Sequence, residues 1–124
     1  MAYDHSVLLS SFLEELDKIL AKFENFIVEP NIDVLSSIAN DLIRLGNDYY
    51  IALRLMEHGV LSVSMLEAGL YMKNRVSTII SRGFRDDDIE YVKEIYRVFS
   101  NIAEKIRSGE YVKELNKMKL KRRS

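Results

Sequence analysis

The sequence predicts an all-α protein, a four- to five-helix antiparallel bundle. Apolar residues recur in seven-residue series over four long segments, and a single proline and five glycines interrupt 124 residues. No competing strand alternation and no internal repeat appears. Sustained helical periodicity with short connections favours nearly antiparallel neighbours. A chain of this length is expected to form one domain with a real core. The predicted division is a bundle domain over 1–109 and a basic helix or tail over 110–124.

The first segment runs from about Ser6 to Ile27. Leu9, Leu16 and Phe23 form one series, Phe12, Ile19 and Phe26 a second, and Leu13, Leu20 and Ile27 widen the stripe. Such a face belongs to a helix buried along one side. Pro30 ends it by disfavouring helical geometry in the preceding residue. The second segment opens at Asn31 or Asp33, either of which can cap a helix. Leu35, Leu42, Tyr49 and Met56 form its first series, with Ile38, Leu45 and Ala52 beside them. Gly59 supplies a left-handed stop. Gly46, inside this pattern, marks a bend or a close helix contact, because glycine otherwise costs ~1 kcal/mol there.

The third segment is expected to begin at Ser64, whose spacing to Glu67 fits a capping box. Met65, Met72, Val76 and Ile79 share its inner face, and Gly83 ends it. The fourth runs from Asp86-Asp87-Asp88 to Ser108-Gly109, with Ile89, Val92, Ile95, Phe99, Ile102 and Ile106 inward. Aspartates suit the positive end of a helix dipole. The expected core includes Leu16, Phe23, Leu42, Tyr49, Val76, Phe99 and Ile102.

Composition narrows the function. Cysteine is absent, which removes disulfides, thiolate metal sites and cysteine nucleophiles. The only histidines, His5 and His58, form no ligand pattern, and His58 is placed at a helix end where partial positive charge suits the dipole. No glycine-rich phosphate loop or nucleophile elbow occurs. Arg54 to His58, "RLMEH", departs from the signature of HEPN-class ribonucleases in both spacing and its polar position. A non-enzymatic protein without metal or cofactor is expected. Without a signal segment or a long apolar run, the expected location is the cytoplasm. Missing glutamine, tryptophan and cysteine, with abundant Lys and Glu, match a thermophile composition.

Two cationic features remain. On the third helix Tyr71, Arg75, Thr78 and Arg82 fall in one row flanking the apolar face. The first reading is structural, with Arg75 and Arg82 laid along the bundle edge and paired with acids of a neighbouring helix. The second makes Tyr71, Arg75 and Arg82 partner-binding residues, since Tyr and Arg anchor interfaces. Net charge is −1 overall, yet residues 110–124 hold six Lys or Arg against two Glu, and the rest holds twelve against seventeen. Lys113, Lys117, Lys119, Lys121, Arg122 and Arg123 are the candidate nucleic-acid-binding residues, through salt-dependent, sequence-independent phosphate contacts. Wide apolar stripes also predict self-association, as a homodimer or larger assembly.

The stretch "LEAGLYMKNRVSTIISRGFRDDDIEYVKEIYRVFSNIAEKI" resembles the helical A domain of GINS subunits of the archaeal type. "KNRVSTII", "DDDIEYV" and "IYRVFSNI" carry the likeness, over about one third of the chain. The small β-rich B domain of that family has no counterpart here. The resemblance implies a DNA-replication scaffold that joins the replicative helicase to other proteins, with Tyr71, Arg75 and Arg82 at a subunit interface. The alternative is a small helical nucleic-acid-binding protein, such as a CRISPR effector small subunit or a viral DNA-binding protein. A helical regulatory partner is a third possibility.

Overall fold

The computed structural model describes the backbone of residues 5–123 and the side chains of residues 6–118. Five helices and no strand occur among the described residues: α1 (His5–Val28), α2 (Ile32–Leu55), α3 (Gly59–Arg82), α4 (Asp86–Ser108) and α5 (Glu110–Arg123). The all-α bundle is therefore the fold. None of these helices is long and apolar enough to cross a membrane.

Asn31 caps α2 as its position predicts, its side-chain oxygen accepting from the backbone N–H groups of Asp33 at 2.8 Å and Val34 at 3.3 Å. The next junction differs from expectation. α3 starts at Gly59, not at Ser64, and the Ser64 hydroxyl donates to the Val60 carbonyl within the helix instead of capping it. Apolar residues at 60, 61 and 63 extend the helix backward by more than a turn. The left-handed residue is Glu57 (φ 64°), so the reversal uses Met56, Glu57 and His58 and spares Gly59.

Phe12, Leu16, Phe23 and Phe26 of α1 meet Leu35, Ile38, Leu42 and Leu53 of α2, Met65 and Met72 of α3 and Val92 of α4 in one core. Val76 and Phe99 are also buried. Tyr49 and Ile102 are only half-buried. The Tyr49 hydroxyl reaches the rim, where it pairs with Ser11, and its ring packs edge-on to Phe12 at 5.6 Å. A buried tyrosine with a wet hydroxyl satisfies both ends of the side chain.

Close backbone packing joins α2 to α3, α1 to α4, α1 to α2 and α4 to α5. The α2–α3 seam is the tightest because two glycines sit in it. A Cβ on Gly46 would lie 2.8 Å from the Ser62 carbonyl oxygen and 2.6 Å from Leu66 Cγ. A Cβ on Gly69 would lie 2.9 Å from the Ala39 carbonyl oxygen and 2.7 Å from Ile43 Cγ1. Gly46 is thus a close contact and not a mere interruption. On the opposite side, Arg107 forks onto Asp17 at 2.9 and 3.0 Å, tying α4 to α1.

Candidate functional site

The loop 83–85 turns the chain from α3 into α4, with Gly83 at φ 86°. Asp88, the third residue of α4, points back into this turn and is fully buried. Arg82 binds it bidentately, Nη1 to Oδ2 at 2.8 Å and Nη2 to Oδ1 at 2.9 Å. Arg75 Nη1 donates to Oδ1 at 3.1 Å, and the Arg85 backbone N–H donates to Oδ2 at 2.9 Å. The Arg82 hydrogen bond, followed by the Arg85 N–H and the two guanidinium charges, holds the Asp88 carboxyl down to about 2 despite its burial. The same bond raises the Arg82 pKa. Burial alone would have pushed the carboxyl the other way.

Arg75 also lies over the Tyr91 ring, 4.3 Å from its centroid. Burial pushes the Tyr91 phenol up, with Tyr71 adding to the shift and Arg75 opposing it. Both arginines of the predicted row are therefore engaged within the bundle, by an acid on a neighbouring helix. Tyr71 is not. It is 64% exposed and stands over an open groove between α3 and α4.

This groove encloses about 350 Å³. Ala68 and Tyr71 of α3 line it with Tyr91, Ile95, Val98 and Phe99 of α4, and Ser64, Glu67 and Glu94 complete its edges. It exists because α3 and α4 are bridged by long side chains near Asp88 and by no seam of small residues like that between α2 and α3. An apolar floor, two tyrosines and two carboxylates form its lining. Among the described residues, no three His, Asp or Glu side chains converge in a way that could hold a metal.

The basic end is a helix whose base is anchored. Tyr111 is half-buried, its hydroxyl 3.2 Å from His58 Nδ1 and its ring 5.3 Å from the imidazole. Burial pushes the Tyr111 phenol up. His58 is fully buried, so its role is to seat α5, not to complement a helix end from solvent. Lys105 reaches Glu114 at 3.3 Å. Further along, Lys113 and Lys117 are exposed. The side chains of Lys119, Lys121, Arg122 and Arg123 lie outside the described residues.

The α3 half of the site was readable as a helical row. Of the α4 wall, Ile95 and Phe99 belong to the expected inward series, whereas Tyr91 and Val98 were missed because they fall off it. Their only signal is large apolar residues beside the main stripe. No family model, curated protein or solved structure matches this chain.

Proposed function

We propose that this protein is a non-enzymatic interaction module, a scaffold or subunit of a multiprotein assembly, whose α3–α4 groove receives an apolar helix. One observation carries the reading. Tyr71, a large aromatic at 64% exposure, stands over an apolar groove whose Tyr91 wall is covered by Arg75, itself bonded to the buried Asp88. Exposed apolar surface organised around an aromatic residue is the pattern of an interface anchor. The amphipathic-helix mode of recognition uses grooves of this kind. A replication scaffold of the GINS type is the finer form of this reading, and the motifs of α3 and α4 in the sequence are its support.

Capture of proteins from the native host, with wild type and Tyr71→Ala compared side by side, tests the groove. Tyr71→Ala is expected to lose a partner that wild type retains. Its stability should stay within about 0.5 kcal/mol of wild type, as for other surface substitutions. Retention of every partner by the variant overturns the reading.

A second reading is direct nucleic-acid contact through α5, favoured by the exposure of Lys113 and Lys117 on that helix.

A further inference from the structure

We propose that the occupant of the α3–α4 groove is a cationic amphipathic helix of another protein, its apolar face flanked on both sides by Lys or Arg. The inference rests on the groove being a docking site and names the chemistry of its partner. Close backbone packing joins α1 to α2, α2 to α3 and α1 to α4, and α3 and α4 share no such seam. The side left open runs between two long helices, a shape that suits another helix. Tyr71, Ile95, Val98 and Phe99 give it apolar surface. Its charged residues are Glu67 of α3 and Glu94 of α4, and among the described residues no Lys or Arg lines it.

Both carboxylates are open to an incoming cation. Glu67 has no ion-pair partner among the described residues. Glu94 pairs with Arg97 along α4, but both side chains are well exposed. An exposed pair of that kind contributes little and gives way to a better-placed cation. Arg75 stands over Tyr91 with its guanidinium engaged by Asp88. One carboxylate on each wall therefore calls for a cation on each flank of the incoming apolar stripe, and complementary potential steers the encounter. The chain does not supply this helix itself. Its cationic α5 turns its apolar face inward, with Tyr111 and Val112 packed against the core. Two grooves placed face to face would oppose like charges.

Two labelled synthetic helices test the proposal by fluorescence anisotropy against the full chain. Both carry a leucine stripe at helical spacing, flanked in one by lysines and in the other by glutamates. The lysine helix is expected to bind wild type, more weakly as salt screens the contact. Tyr71→Ala, and separately Glu67→Lys with Glu94→Lys, should each weaken that binding about tenfold or more. The double reversal should instead gain the glutamate helix, a result that unfolding cannot produce. Failure of wild type to bind the lysine helix overturns the proposal. So does equal binding of both helices, or binding that survives Tyr71→Ala and the double reversal. If wild type prefers the glutamate helix and loses it on Tyr71→Ala, the groove reading stands and only the partner's charge is refuted. Sedimentation of the chain alone covers the remaining occupant: a dimer that Tyr71→Ala dissociates would give the groove to a second copy and overturn the proposal.

Discussion

Four N–H groups from three residues converge on the buried carboxylate of Asp88. Its folded pKa, about 2, lies below the ordinary 3.8, so the unfolded chain takes up the proton first. The stabilisation is therefore complete above about pH 4 and is lost as pH falls through 2. Asp88→Asn should cost ~2–3 kcal/mol, less than the largest buried-pair deletions because both arginines retain some contact with water. Thermal unfolding followed from pH 5 to 2 should show a weaker acid dependence in the variant. An unchanged pH profile would assign the acid sensitivity elsewhere. The arginine row was legible in the sequence, and so was its pairing with a neighbouring helix. The particular acceptor was not. Three consecutive aspartates are equivalent as letters, and successive residues turn 100° around a helix, so only packing decides which faces inward.

At the scale of elements, the heptad series located the four long helices because each buries one wide stripe. The start of α3 was misplaced because a capping box is a local pattern, whereas residues 59–63 are helical through packing: Leu61 and Ser62 are both buried. Glycine in the α2–α3 seam gives a test with a definite sign. In an open helix, Gly→Ala stabilises by ~1 kcal/mol through propensity. At Gly69 the new methyl would press on the Ala39 carbonyl and the Ile43 backbone nitrogen, at 2.9 and 3.0 Å. Overpacking typically costs ~1–3 kcal/mol, so Gly69→Ala should be net destabilising. Denaturant unfolding decides it, and a stabilised variant would show that the seam is looser than these distances.

For the molecule as a whole, charge is segregated: a cationic C-terminal helix on an acidic bundle. This asymmetry was fully legible, since it needs only counting. The groove was not, because its two walls lie on separate helices and only the fold brings Tyr71 beside Val98. Segregation bears on nucleic acid as well. An acidic body repels phosphate, so labelled single- and double-stranded DNA should bind weakly at physiological salt. Any binding at about 50 mM salt should fall steeply by about 200 mM as counterions are released. Removing residues 113–124 should abolish it and leave the far-ultraviolet circular dichroism of the bundle intact. Tight binding that survives the deletion would place a cationic surface on the bundle itself.

The two seams of the bundle differ also in the length of chain each must close. α2 and α3 are joined through residues 56–58, so their glycine contacts form between near neighbours in sequence. The Asp17–Arg107 contact between α1 and α4 spans 90 residues. Loop-closure entropy grows with that span, and local contacts form first. The α2–α3 hairpin should therefore form early and the α1–α4 seam should close last. Strengthening the α1–α4 seam would then slow unfolding and leave the folding rate nearly unchanged.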